Sequence, residues 1–277
     1  MRARCPPAGF LAEQSRDAIS WVRAPLAADA RALGLFDADG IARALAAGSL
    51  LAGGRAGATS LPMQAARSEV VVRPLRHGGL LAPLLGTRLR GGYWGPERGL
   101  RELAVTQQLL AAGAPVPEPA FVLARRSAGP LWECAIGTLR VPGVSLASAA
   151  LAAARSGALR AAACAVRALH DCGGRHADLN ATNVLIAEHA GDVRARLIDL
   201  DRARIDAPVP PRRRAREIAR LWRSLAKCGA PLSAGERSAF VASYAGEDAA
   251  LASELAAALR REQLRSALHT WRYPRRG

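Results

Sequence analysis

The chain has 277 residues, half of them hydrophobic, which is enough for a real core and allows one large domain or two lobes at roughly 100–200 residues per domain. Its 39 Lys and Arg against 23 Asp and Glu leave a formal charge of +16. That charge favours anionic partners such as phosphates, acidic sugars, anionic lipid headgroups or nucleic acid, and it disfavours a cationic substrate.

Residues 1–50 carry the weakest signals. Ala, Leu and Trp21 lie among scattered charges, Asp39-Gly40 marks a break, and residues 41–47 read as a short helix. No long apolar segment precedes the charges at Glu13, Arg16 and Asp17, so no secretory signal is expected. Residues 48–59 form a small-residue stretch with Gly53, Gly54 and Gly57. A glycine-rich loop lets backbone N–H groups approach phosphates closely, which makes Gly54 and Gly57 candidates for nucleotide binding. The same composition also describes an ordinary surface loop.

A β-branched strand over residues 69–73 ends in Arg73. Lys227 is the only lysine, so a phosphate-binding cation in the first half of the chain has to be an arginine. Arg73 occupies the place where a kinase-like strand presents a cation to the α/β-phosphates. The role requires an acidic partner on a following helix. Residues 98–112 read as that helix, with Leu103, Gln107 and Leu110 at helical spacing and Gly113, Pro115 and Pro117 past its end. Glu102 in its first turn is the expected partner of Arg73, with Glu97 the alternative. Between strand and helix, residues 76–79 and 87–95 interleave cations with Tyr93 and Trp94 among glycines. An anionic sugar or lipid headgroup site and a solvated insert fit this pattern equally well.

Strands are expected at residues 120–123 and 131–136, a hinge near 138–143, and helices over 146–154 and 159–171. The longest uncharged apolar run, near residues 141–154, contains Pro142 and Gly143 and is too short to span a bilayer, so membrane contact would be peripheral. The five cysteines, Cys5, Cys134, Cys164, Cys172 and Cys228, are odd in number, scattered and without a C-x-x-C pair. Neither a disulfide framework nor a zinc site is suggested, and buried, reduced thiols are expected.

The chemistry concentrates in residues 175–201. Two strands, residues 184–186 and 196–198, are expected on either side of a polar turn over 188–192. His176, Asp178 and Asn183 precede the first strand, and Asp199 and Asp201 follow the second. Phosphoryl transfer from a nucleotide depends mostly on positioning and charge neutralisation. One carboxylate must face the attacking hydroxyl. Another carboxylate and an amide oxygen must hold Mg²⁺, which prefers hard oxygen ligands. H-x-D-x-x-x-x-N followed by I-D after the next strand matches that requirement. Asp178 is then the catalytic base, Asn183 and Asp199 are the metal ligands, and His176 is a hydrogen-bonding residue that shapes the loop. D-x-x-x-x-N alone is common and carries little; its conjunction with the histidine, two strands and I-D-L-D carries the reading.

After Asp201 a short proline-containing segment leads to a helix over residues 212–227 with Ile218, Leu221, Trp222 and Leu225 on its apolar face. The long activation segment and A-P-E-type anchor of protein kinases are missing, and position 177 is Ala rather than the Arg of H-R-D. A small-molecule or glycolipid acceptor is expected rather than a peptide. The helix carries Arg212, Arg213, Arg214, Arg216, Arg220 and Arg223, and the C-terminal part carries Arg260, Arg261, Arg265, Arg272, Arg275 and Arg276. These are either solvated faces or a docking surface for an anionic leaflet, where each cation is worth about 1 kcal/mol. Residues 235–265 read as a helical pair.

His176–Ile186 (H-A-D-L-N-A-T-N-V-L-I) and Leu197–Ala203 (L-I-D-L-D-R-A), supported by V-V-R-P-L-R-H-G-G-L, Y-W-G…R-x-x-x-E, G-A-P-V-P-E-P and R-E-I-A-R-L-W-R-S-L-A-K, resemble the 3-deoxy-D-manno-octulosonic acid (Kdo) kinases within the lipopolysaccharide kinases. The resemblance covers roughly residues 48–227. Thr182, where His is usual, and Pro74-Leu75, where a more polar pair is usual, depart from the pattern. The resemblance implies an α+β, protein-kinase-like two-lobed fold: an N-lobe antiparallel sheet with one helix over residues 1–140, which include an N-terminal extension, and a mainly helical C-lobe over residues 141–277. It also implies transfer of phosphate from ATP, with Mg²⁺, to a Kdo hydroxyl (the 4-OH) of a Kdo-bearing lipid A precursor. The expected location is the cytoplasmic face of the bacterial inner membrane, held peripherally by its anionic leaflet, with no nucleic-acid partner. The other readings are a different small-molecule phosphotransferase of the same fold, such as an aminoglycoside- or choline-type enzyme, and a catalytically inactive kinase-like binding module.

Overall fold

The computed structural model describes residues 5–51, 57–66, 68–76, 89–90, 96–206 and 208–272. Gly54 and, apart from Leu89 and Arg90, the arginine–aromatic loop of residues 87–95 lie outside the described residues. The chain divides into two compact units, Met1–Gln108 with Pro117–Arg140 and Leu109–Val116 with Val141–Gly277.

The first unit is built on an antiparallel sheet. Its strands are β1 (Phe10–Gln14), β2 (Ala18–Arg23), β3 (Ser49–Leu50), β4 (Thr59–Met63), β5 (Ser68–Pro74), β6 (Leu89–Arg90), β7 (Pro119–Ala128) and β8 (Leu131–Leu139). They run in the order β1-β2-β7-β8-β5-β4-β3, with β6 pairing β8. Successive side chains on a strand face opposite sides, and both sides of this sheet are apolar. One side gathers Val70, Val72, Phe121, Leu123 and Ala135; the other gathers Val122, Ala124, Trp132, Cys134 and Ile136.

Two apolar sides need two covers. The helix α3 (Pro96–Ala111) covers the second side through Leu100 and Leu103. It lies close because residue 99 is glycine: a Cβ there would sit 2.5 Å from Cys134 Sγ. The first side is covered from within residues 5–50, where the sequence signals only one short helix. Leu26 and Ala30 reach it around α1 (Ala27–Ala32), and Ile41 and Ala44 reach it from α2 (Gly40–Ala47). The β1–β2 hairpin extends the sheet through β7, in the register Ser20↔Leu123. Among the described residues, α1 is therefore the short helix that the sequence does not signal, while α2 matches the one expected over residues 41–47. The strand pattern of β1 escapes notice because four of its five residues are exposed and only Phe10 is buried.

The second unit contains β9 (Val144–Ser145), α4 (Leu146–Ala149), α5 (Arg155–Asp171), β10 (Gly174–Arg175), β11 (Val184–His189), β12 (Asp192–Leu197), β13 (Arg204–Ile205), α6 (Pro211–Lys227), α7 (Ala234–Ala245) and α8 (Ala249–Arg272). The helix expected over residues 146–154 stops at Ala149. The strands β11 and β12 are longer than their apolar runs, and the turn between them is shorter than expected. His189 pairs with Asp192, leaving a two-residue loop. Polar residues continue β12 because only Ala195 and Leu197 are buried, while Arg194 and Arg196 face outward.

Both loop residues have positive φ, 51° at Ala190 and 82° at Gly191, as a type I′ hairpin turn requires. Alanine is strained in that region. Ala190→Gly is expected to stabilise the protein by about 0.5–1 kcal/mol, read as a rise in melting temperature.

Of the thiols expected to be buried, Cys134 is, whereas Cys5 and Cys164 are exposed. Burial, with the Glu102 carboxylate nearby, pushes the Cys134 thiol up to about 12, so it is inert at neutral pH.

Candidate active site

In the second unit, β10 leads into residues 176–183, β11 leads away from them, and β12 returns the chain to residues 198–201. Ile198 joins the two loops through both of its backbone groups. Its N–H donates to Asn183 O at 2.9 Å, and its carbonyl lies 3.0 Å from His176 Nε2. A carbonyl can only accept, so Nε2 carries the proton. Nδ1 is then free to accept the Asp178 N–H at 3.2 Å. The neutral ring thus bridges the start of the Asp178 loop to the residue before Asp199.

Burial holds the His176 imidazole below its ordinary 6.5. A second proton would fall on Nδ1, against the Asp178 N–H. The unfolded chain binds that proton more readily, so the contribution of His176 to stability is complete above pH 6.5 and declines as pH falls below it. Chemical denaturation from pH 7 to 5 should show this loss, and His176→Gln should flatten it.

Asp178 is exposed, and its main chain is held by several groups. Asn180 Nδ2 and Asn183 Nδ2 donate to its carbonyl at 3.2 and 3.0 Å. Asn180 Nδ2 also reaches the carboxylate Oδ2 at 3.1 Å. The Asn180 Oδ1 accepts from the N–H groups of Thr182 (3.0 Å) and Asn183 (3.1 Å) and from the Thr182 hydroxyl (2.7 Å). Asn180 is therefore the organiser of the loop, a role the spacing of His176, Asp178 and Asn183 did not signal. Its sequence signal is the N-x-T-N pattern, in which an Asx side chain bonds backbone two residues on.

Asn183 is buried, and its amide nitrogen is committed to the Asp178 carbonyl, so its oxygen is the end left to present outward. Asp199 has φ 61°, a left-handed conformation that Asp tolerates better than most residues and that is concentrated at functional sites. A carboxylate and an amide oxygen form a hard-oxygen donor set, which fits Mg²⁺.

The helix α6 clamps this loop from the other side. Glu217 is buried, and its Oε2 accepts the His176 N–H at 2.9 Å. The same oxygen lies 3.3 Å from His170 Nε2, and His170 Nδ1 meets the Tyr244 hydroxyl at 2.7 Å. Arg220 donates to the Ala177 carbonyl. The Ser224 hydroxyl accepts the Ala181 N–H at 3.0 Å. Arg214, counted among the surface arginines by sequence, binds Asp171 at 2.9 Å and Tyr244 at 3.0 Å instead. Glu217 carries little sequence signal for the same reason: it is a single acid in an arginine-rich helix, next to the apolar Ile218–Leu221–Leu225 face.

In the first unit, Arg73 Nη2 and Glu102 Oε1 pair at 2.5 Å, and the glutamate side chain is 4% exposed. Thr106 Oγ1 caps the Glu102 carbonyl at 2.7 Å. Gly57 has φ 94°, and a Cβ there would lie 3.0 Å from Arg76 Nη2. The glycine thus lets the backbone come close to a second guanidinium.

A strand arginine paired to a helix glutamate in the first unit, and in the second unit two loops joined through His176 and Ile198 that carry Asp178, Asn183 and Asp199, belong to a protein-kinase-like fold. Solved structures share it. One described as WaaP in complex with acyl carrier protein superposes with a TM-score of 0.51 over 83% of this chain and 95% of that one, at 19% identity. An aminoglycoside-3′-phosphotransferase of type VIII gives 0.50 over 77% and 91%, also at 19%. At that identity the likeness shows the fold. The family model described as the lipopolysaccharide kinase (Kdo/WaaP) family matches residues 52–244, and the chain belongs to that family. Curated relatives include 3-deoxy-D-manno-octulosonic acid kinases. That of Xylella fastidiosa (strain 9a5c) is 33% identical over 168 residues, 60% of this chain and 65% of the relative. That of Xanthomonas campestris pv. campestris (strain B100) is 34% identical over 177 residues, 63% and 68%. The chain thus spans just under two thirds of the length of the Xylella relative it matches.

Proposed function

We propose that this protein transfers the γ-phosphate of ATP to a Kdo hydroxyl, the 4-OH, of a Kdo-bearing lipid A precursor in lipopolysaccharide core assembly. The observation that carries the reading is the His176 bridge. It ties the loop bearing an exposed carboxylate, Asp178, to the residue before Asp199, with the Asn183 amide oxygen as a second hard donor. The acceptor is drawn from the curated relatives that bear the name Kdo kinase.

In this mechanism Asp178 accepts a hydrogen bond from the sugar hydroxyl, orients it towards the γ-phosphorus and takes its proton as the new P–O bond forms and the bond from that phosphorus to the β,γ-bridging oxygen breaks, releasing ADP. Asn180 holds the carboxylate in place. Asn183 and Asp199 would hold Mg²⁺, which would supply neutralisation of the phosphate charge. Arg73, fixed by Glu102, positions the nucleotide phosphates, and Gly57 beside Arg76 offers backbone and a cation to the same anion. The net charge of +16 suits an acceptor that bears carboxylates and phosphates and opposes a cationic one. Among the described residues no helix is long and apolar enough to cross a membrane. In this reading a peripheral seat on the cytoplasmic leaflet brings the enzyme to its lipid.

The test is incubation of the purified protein with Mg·ATP and Kdo-lipid A precursor in detergent, followed by mass spectrometry for one added phosphate, with Asp178→Ala and a Kdo-free precursor as controls. Phosphate added without Kdo would refute the acceptor. No phosphate under any condition would refute the reaction.

A further inference from the structure

The helix α6 clamps the catalytic loop through Glu217, Arg220 and Ser224, and most of its cations have no task in that role. Arg212, Arg216, Arg220, Arg223 and Lys227 recur at i, i+4, i+8, i+11 and i+15, which aligns them along one side of the helix. Arg213 flanks the row. The apolar side, with Ile218, Leu221, Trp222 and Leu225, is buried. The exposed residues of α6 are Arg212, Arg213, Arg216, Arg223, Ala226 and Lys227, so apart from one alanine all are cations. Glu262 on α8 is 3.8 Å from Arg216, a loose pair at the edge of the row. The middle cation, Arg220, donates to the carbonyl of Ala177, the residue next to Asp178.

We propose that this side of α6 is an electrostatic docking surface for an anionic phospholipid bilayer, and that seating the row on lipid headgroups brings Asp178 to the membrane surface. The row is about 22 Å long at about 1.5 Å per residue. It matches a plane of many headgroups rather than one phosphate. No aromatic side chain interrupts it to stack a base, which separates it from single-strand nucleic-acid surfaces. No large apolar side chain projects from it to insert among acyl chains, so binding is by charge alone and is screened by salt. The proposal rests on the reading above, in which the acceptor is a lipid.

The experiment is co-sedimentation of the full chain with phosphatidylcholine vesicles with and without phosphatidylglycerol, at low and high salt. Binding should require phosphatidylglycerol and be lost in salt. Neutralising four cations (R212Q/R213Q/R223Q/K227Q) should weaken it roughly several-hundred-fold, at about fivefold per cation near an anionic surface. The charge-preserving R212K/R213K/R223K should bind like the wild type, a result that general misfolding of the helix would not give. Turnover of detergent-dispersed acceptor should be unchanged in the neutralised variant, while turnover of vesicle-embedded acceptor should fall. Equal vesicle binding by wild type and the neutralised variant would overturn the proposal. So would preferential binding of a duplex DNA or RNA over vesicles at the same salt. Vesicle binding needs no catalysis, so a failed kinase assay alongside charge-dependent sedimentation would refute the proposed reaction and leave this surface standing.

Discussion

Asp178→Ala is expected to lower kcat by roughly 10²–10⁴-fold, the usual worth of a positioned general base. It should do so with little change in melting temperature. The bonds that shape the loop at this position use its main chain: the N–H to His176 Nδ1, and the carbonyl to the Asn180 and Asn183 amides. Alanine keeps all of these. The side chain is exposed, and substitutions at such places usually move stability by about 0.5 kcal/mol or less. Steady-state kinetics beside a thermal melt therefore separate the chemical role from the structural one. Turnover close to wild type would remove Asp178 from the mechanism. A large loss of melting temperature would show that its carboxylate, through Asn180 Nδ2, holds the loop together.

The second large effect belongs to a residue that touches no substrate. Glu217→Ala is expected to cost about 3 kcal/mol of stability, because it leaves buried groups without their acceptor and removes the carboxylate facing Arg175. The groups are the His176 N–H, 2.9 Å from Oε2, and His170 Nε2, 3.3 Å from the same oxygen; Arg175 Nε lies 3.6 Å from Oε1. Activity should fall too, since His176 sets both Asp178 and Ile198. Glu217→Gln keeps an oxygen for the His176 N–H and should recover most of the stability. The measurement is denaturant unfolding of both variants together with their kcat. Wild-type stability in Glu217→Ala would mean that the loop is held by Arg220 and Ser224 without it.

The chemistry of this protein is legible where it is local. His176, Asp178 and Asn183 lie within eight residues, and Asp199 follows one hairpin later, so consecutive sequence and strand pattern suffice to group them. The pairing of Arg73 with Glu102 is also within reach, since strand end and helix phase each have their own periodicity. What lies further along the chain is not. Asp178 and Asn183 are held by Asn180, whose Asx bonds are local but easily passed over. They are also held by Glu217, Arg220 and Ser224, whose value depends on which side of α6 turns inward. An arginine-rich helix looks solvated on every side until its neighbours are known, because charge count does not tell which guanidinium meets a carbonyl and which meets water. Residues 1–50 are the other case. Over residues 5–50 the apolar side chains signal only the short helix at 41–47, and the rest order because a sheet with two apolar sides needs a second cover. By itself, then, the sequence determined the candidate site residues and their order along the chain. Only the tertiary structure decided how they are held, because buried polar groups must find partners wherever the packed chain brings them.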